Sequence, residues 1–249
     1  NALLGIVNLV RADLDDPHQV SLLTTAENSG MRLMSLLKNV LDYSKIEAGE
    51  MSIEQTTFSP IAIAKDLVAL YKPTAQAQGI KLSVRENESS EYFTVGDDHK
   101  VTQIISNLLS NAIKFTETGE VEVTVEKSFM DASPVHDTDN APESETFEKR
   151  PSYKISVRDT GIGMTLAQTE EVFTAFVQVD DTDTRKYLGT GLGLSIVYGM
   201  VRNMKGYIAA DSKPGAGTTM NIYIPLTDKR PIAGGEKKIS LESGEIRFD

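Results

Sequence analysis

Asn107 and Asn111 stand four residues apart in the stretch 101–116, which otherwise reads as a helix with one broad apolar face. Val101, Ile104, Ile105, Leu108, Leu109, Ala112 and Phe115 recur at helical spacing and make that face. A four-residue spacing stacks the two amides one above the other on one side of the helix. An interior asparagine lowers helix propensity and competes with the backbone for hydrogen bonds. Two of them beside an apolar face suggest a wall of amide oxygens next to a ligand, and magnesium accepts such oxygens together with water and phosphate. Lys114 and Thr116 close the stretch. Taken alone, the pair serves equally well as solvent-facing polarity or as a cap on a neighbouring loop.

Three glycine-bearing segments follow. In Asp159-Thr160-Gly161-Ile162-Gly163 the glycines permit a tight turn and close backbone approach to a ligand, and Asp159 can accept a hydrogen bond from an exocyclic amine such as that of adenine. A sharp turn with no ligand has the same sequence. In Gly189-Thr190-Gly191-Leu192-Gly193-Leu194, alternate glycines run into a helix over 195–204. They expose backbone N–H groups around an anion with the helix N-terminus behind them, which makes a phosphate cradle, or else a plain hinge. The segment is neither a dinucleotide fingerprint nor a P-loop. Arg185 and Lys186 precede it, where a mobile segment would carry positive charge to phosphates. Gly215-Ala216-Gly217-Thr218-Thr219 reads as a hairpin turn whose threonines are candidates to reach the same ligand. Phe173 and Phe176, three apart, either anchor the polar segment 180–188 or are ordinary core residues.

These residues need elements to position them. Two helices are expected first, over 1–14 and about 19–47, with Asp15, Asp16 and Pro17 as the break between them. The first is too short to cover the apolar positions of the second, so more helix and a second copy of the chain are expected to supply that surface. A strand over 51–58 precedes a helix opened by Ser59-Pro60, with serine as cap and proline at the first helical position, and ended near Gly79. Strands follow at 80–84, 92–95, 121–125, 153–157, 208–210 and 220–224, on period-2 alternation. Residues 128–152 hold six acidic residues and several prolines, and read as a loop inserted between strands that otherwise form a hairpin. This order predicts an α+β fold, a two-layer α/β sandwich with helices on one face, preceded by an α-helical hairpin. The expected division is 1–48 for the hairpin, 49–226 for the sandwich and 227–249 for a linker or tail.

The totals narrow the function classes. The 249 residues carry a formal charge of −11, which repels nucleic acid, and no basic patch is interleaved with aromatics. No apolar run is long enough to span a membrane. The absence of cysteine excludes thiolate chemistry and disulfides, and His18, His99 and His136 lack metal-ligand spacing. The chain begins at Asn1 and is read as a piece of a longer protein.

Together the segments resemble the catalytic ATP-binding domain of sensor histidine kinases, in the superfamily shared with gyrase, Hsp90 and MutL. The resemblance covers about residues 1 to 226 and rests on four motifs in the right order. It implies that Asn107 and Asn111 hold magnesium and nearby phosphate, that Lys114 contacts phosphate, and that Asn107 and Lys114 serve catalysis. It implies that Asp159 binds the adenine amine in a wall shaped by Gly161 and Gly163. Arg185, Lys186, Gly189, Thr190, Gly191, Leu192, Gly193 and Leu194 would surround the phosphates, and Thr218 and Thr219 would lie near adenine. Phe173 and Phe176 fit the family's phenylalanine box, and residues 41–47 look like the end of the second helix of a dimerisation and phosphotransfer domain. The implied cofactors are ATP and Mg2+. The implied partners are a second copy of the intact protein and a response-regulator receiver domain, with no nucleic acid and no membrane contact by this piece. It is expected to be the cytoplasmic portion of its parent.

In that family the phosphoaccepting histidine lies about two helical turns ahead of the residue aligned with Asn1, so none of the three histidines here takes its place. The piece is therefore expected to bind ATP without autophosphorylating normally. Two rivals remain. ATP hydrolases of the superfamily carry a glutamate where Asn107 stands, and an amide is no general base. A non-catalytic dimerisation scaffold is the other, against which the full motif set argues.

Overall fold

Asp16 and Pro17 begin a helix rather than end one. A computed structural model describes residues 10, 16–85, 93–131, 149–177 and 191–226. In it α1 spans Pro17–Glu47, with the Asp16 carboxylate accepting from the His18 N–H and Pro17 in the first turn. Of the expected upstream helix only Val10 is described, and it is helical. No residue of α1 is buried, and five of its six leucines stand open, Leu33 at 59% and Leu41 at 61% exposure, with Leu23 half-buried.

The segment after α1 is a strand only at its end, a correction to the expected 51–58. β1 (Thr56–Phe58) pairs antiparallel with β3 (Thr94–Gly96). Residues before it are tied down by other means: the Asn203 amide donates to the Met51 carbonyl, and the Glu54 N–H donates to Asp97. Ser59 caps α2 (Pro60–Ala77) as expected.

The main sheet has the order β2-β4-β5-β7-β6, from Ile80–Arg85, Gly119–Asp131, Lys149–Asp159, Gly217–Pro225 and Tyr207–Lys213. β2 runs parallel to β4, and the other neighbours are antiparallel. Alternation along each strand sets the layers. Val121, Val123, Val125, Tyr153, Ile155, Val157, Ile222 and Ile224 are buried against α2, α3 (Asp98–Phe115) and α5 (Gly193–Asn203). The other face carries charge pairs, Arg85 to Glu122 at 3.1 Å and Lys154 to Glu126 at 3.6 Å. That is the two-layer sandwich, with helices on one side.

β4 and β5 pair from Val121 opposite Asp159 to Asp131 opposite Lys149. The ladder thus takes in both ends of the stretch expected to be loop, and 132–148 lie outside the described residues. A short helix, α4 (Leu166–Glu171), was not expected. Its reciprocal capping box between Thr165 and Gln168 was legible in the sequence.

Candidate functional site

The site is built on α3. Val101, Ile104, Ile105, Leu108, Leu109, Ala112 and Ile113 are buried under the sheet and fix the helix's rotation. That rotation leaves Asn107 and Asn111 half-buried at the edge of the apolar face. The buried Asp97 caps the helix, accepting from the Lys100 backbone N–H at 2.9 Å and from its ammonium at 2.8 Å. At the other end the Lys114 ammonium lies 4.8 Å from the Phe115 ring, and burial draws its pKa below the usual lysine value. Lysine there gives up its proton more easily than in water, and an anion beside it would restore the charged form.

Asp159 ends β5 next to this helix and is 9% exposed. Its Oδ1 accepts from the Gly161 N–H at 2.8 Å and the Thr218 N–H at 3.1 Å. Burial pushes the carboxyl above its ordinary value, and the two N–H donors pull against that rise. Among the described residues Oδ2 takes no hydrogen bond, so one oxygen is held by the scaffold and the other is left to face a donor. The loop after Asp159 presses on α3: the Ile162 N–H donates to the Phe115 carbonyl at 3.2 Å, and a Cβ at Gly161 would strike that same carbonyl. Gly163 has φ +67°, and a side chain there would strike the Lys213 carbonyl. These two glycines let the loop wedge between α3 and the β6–β7 hairpin.

The expected third wall is the start of α5. Leu192 is the N-cap, and its apolar side chain makes no cap hydrogen bond to the first-turn N–H groups. Gly191 and Gly193 flank it, and Leu194 is half-buried. Gly189, Thr190, Arg185 and Lys186 lie outside the described residues. Phe173 stacks on Tyr198 of α5 with ring centroids 5.7 Å apart. Phe176 has φ 64°, is 66% exposed, and meets Tyr43 of α1 edge-on at 5.9 Å.

Thr218 joins Asp159 through its backbone, as described. Thr219 is not brought to that carboxylate. It pairs with Arg158 and Asp211, and strand alternation turns it to the opposite face of the sheet from Thr218. Sequence reasoning missed Ser212, whose hydroxyl touches Met164, Gly217 and Thr218. The signal available was its place opposite Thr218 in a hairpin closed by the Gly215-to-Gly217 turn. It also missed the hydrogen bond from Gln103 to Asp42 of α1 at 2.9 Å, one helical turn before Asn107.

Among the described residues no group of three histidine, cysteine, aspartate or glutamate side chains is placed to hold a metal. Any divalent ion here would rest on amide oxygens, water and the ligand's own oxygens. The protein's share of that donor set is hard and neutral, and it fits magnesium held by phosphate better than a transition metal. Among the described residues no helix is long and apolar enough to cross a membrane.

The family model for the histidine kinase-, DNA gyrase B- and HSP90-like ATPases matches residues 96–228, more than half of the chain. The autoinducer 2 sensor kinase/phosphatase LuxQ of Vibrio parahaemolyticus is 31% identical over 233 residues, 93% of this chain and 25% of that protein. The sensor protein GacS of Pseudomonas syringae is 32% identical over 247 residues, 99% of this chain and 25% of that protein. The signal transduction histidine-protein kinase BarA of Escherichia coli is 32% identical over 226 residues, 91% and 23%. The chain thus spans about a quarter of the curated relatives it matches. Full-length ShkA, solved in complex with AMPPNP, superposes with a TM-score of 0.67 at 26% identity, over 90% of this chain and 42% of that one. With its helix-backed sheet, its buried aspartate beside the glycine loop and these relatives, the chain belongs to the histidine kinase-, DNA gyrase B- and HSP90-like ATPase family, as an ATP-binding domain of the sensor histidine kinase kind.

Proposed function

We propose that this chain is the ATP-binding catalytic module of a two-component histidine kinase. It would present the γ-phosphate of ATP to a histidine of the intact protein, from which the phosphoryl group passes to an aspartate of a receiver domain. The observation that carries this reading is the half-used carboxylate of Asp159, with Oδ1 held by two backbone N–H groups and Oδ2 open to an adenine amine.

In this reading the amide oxygens of Asn107 and Asn111 would hold magnesium. Bound there, the ion would neutralise charge on the phosphate oxygens, as phosphoryl transfer requires. Lys114 contacts a phosphate, and the first-turn N–H groups of α5 receive the phosphate chain. The β–γ bridging P–O bond breaks as a histidine nitrogen bonds to the γ-phosphorus, and ADP leaves with the electron pair. Asn107 supports transfer over hydrolysis, since an amide cannot take a proton from an attacking water. Arg185 and Lys186 are proposed to close over the phosphates from the segment between Phe176 and α5.

Calorimetry with magnesium and ATP tests the pocket. The chain should bind in the micromolar to sub-millimolar range, and Asp159→Asn should lose binding at least tenfold. The substituted amide keeps an oxygen for the Gly161 and Thr218 N–H groups and turns its NH2 toward the adenine amine, donor against donor. No binding by the folded wild-type chain would move the scaffold reading to first place.

A further inference from the structure

We infer that Ser212 is a specificity-determining positioning residue: through the hydroxyl of Thr218 it makes the purine end of the pocket select a 6-amino over a 6-oxo base. This rests on the proposed nucleotide site and concerns a residue two strands away from α3.

The argument is a proton count. A serine hydroxyl has one hydrogen to donate and two lone pairs to accept with. Ser212 Oγ accepts from the Met164 N–H at 2.8 Å, lies 3.1 Å from the Gly217 carbonyl and lies 2.8 Å from Thr218 Oγ1. A carbonyl only accepts, so the single Ser212 hydrogen goes to Gly217. The remaining lone pair then takes the Thr218 hydrogen, and the hydroxyl is fully used: two bonds accepted, one donated. Thr218 has spent its only hydrogen and can only accept from anything in the pocket.

Strand alternation puts both side chains on the site side of the hairpin. Ser212 pairs with Thr218 in the β6–β7 register and shares its parity with the buried Ile208, while Thr218 shares its parity with the buried Met220. The Thr218 backbone N–H is 3.1 Å from Asp159 Oδ1. The open Asp159 oxygen and the Thr218 hydroxyl oxygen are thus two acceptors on one face of the sheet, on residues joined by the Thr218 N–H to Oδ1 bond. An exocyclic amine, with two hydrogens, meets both. The carbonyl of a 6-oxopurine meets two lone-pair surfaces, and a buried mismatch of that kind is costly because neither group can turn to water.

Removing the Ser212 hydroxyl frees the Thr218 proton, and the threonine can then rotate to donate to a carbonyl. The test is the ratio of ATP to ITP affinity, measured by calorimetry, or by competition where ITP is weak, on the 249-residue chain with magnesium. Wild type should bind ATP and reject ITP. Ser212→Ala should weaken ATP by about tenfold or less, the scale of one hydrogen bond, and should narrow the ATP-to-ITP ratio by about tenfold. Ser212→Thr should restore the ratio, since it returns the hydroxyl. Thr218→Val should narrow the ratio as Ser212→Ala does, and it covers the case in which the alanine variant does not fold. A purely structural role for Ser212 would weaken both nucleotides in the same proportion, and an unchanged ratio in Ser212→Ala or in Thr218→Val overturns the inference. Failure of the folded wild type to bind ATP at all would instead overturn the nucleotide site beneath it.

Discussion

Asp159 sets a pH dependence that runs in opposite directions for folding and for binding. Its folded-state pKa is raised above the ordinary 3.8, chiefly by burial. Between 3.8 and the folded value the native chain holds more protons than the unfolded chain, so the contribution of this group to stability falls as pH rises through that window. At the proposed site adenine binding needs the carboxylate and should be lost as pH falls through the same window. Thermal melts of wild type and Asp159→Asn against pH should show this: the wild type should lose ground relative to the variant as pH rises through the window, and ATP affinity should move the other way. Parallel melting curves would mean that burial does not shift this carboxyl. At this scale the sequence was informative where one residue type has one use. An aspartate ahead of two spaced glycines marked the carboxylate that the structure buries and holds by the Gly161 and Thr218 N–H groups. Thr218 and Thr219 are chemically alike, and the strand register that separates them across two faces of the sheet lies outside any local motif. Ser212 was harder to read, because its partners come from two separate segments, the loop at Met164 and the facing strand at Gly217 and Thr218.

The elements were mostly legible because period and capping agreed. α3 showed a helical stripe, and its buried residues are those of the stripe with Ile113 in place of Phe115, which is only half-buried at the end of the helix. The strands showed alternation. What failed was length: β4 and β5 run further than their apolar pattern, because a long two-stranded ladder with open faces tolerates charged and polar side chains. The stripe has an energetic consequence. Leu108 is 2% exposed and Leu109 fully buried, on the side of α3 opposite to no other cover than the sheet and helices. Leu108→Ala should cost about 2–5 kcal/mol in urea unfolding. It should also weaken ATP more than a comparable truncation in α2, since it lies next to Asn107 and lets α3 rotate. Equal effects on ATP from both truncations would argue that α3 does not owe its orientation to this packing. The element-scale contact that no period revealed is the seat of α1 on the sandwich, where Asp42 meets Gln103, Tyr43 meets Phe176, and Ile46 packs on the core. It depends on two distant segments meeting and leaves no trace in either one's pattern.

At the scale of the whole molecule, α1 presents an open apolar face that the proposed partner would cover. A 31-residue helix with no buried residue, and with Met31, Leu33, Met34, Leu37 and Leu41 about half exposed or more, leaves a long apolar face in water. Helices in proteins draw most of their stability from packing an apolar face. The proposed homodimer would cover that face with the same face of a second copy, which a two-fold axis makes self-complementary. Leu37→Glu and Leu41→Glu would place charges at its middle without touching the sandwich. The doubly substituted chain, extended upstream to include the expected first helix and its histidine, should sediment as a monomer where its parent sediments as a dimer. It should keep ATP affinity within about twofold, because residues Asn107, Asp159 and the start of α5 belong to the sandwich of a single copy, and surface changes away from them are worth only a few tenths of a kcal/mol. Phosphohistidine formation then separates two geometries. If the γ-phosphate passes between copies, the monomer makes none at saturating ATP. If it passes within one copy, the monomer retains turnover. A fall in ATP affinity that tracks the loss of the dimer would show instead that the site is shared between copies, against the single-copy site described above.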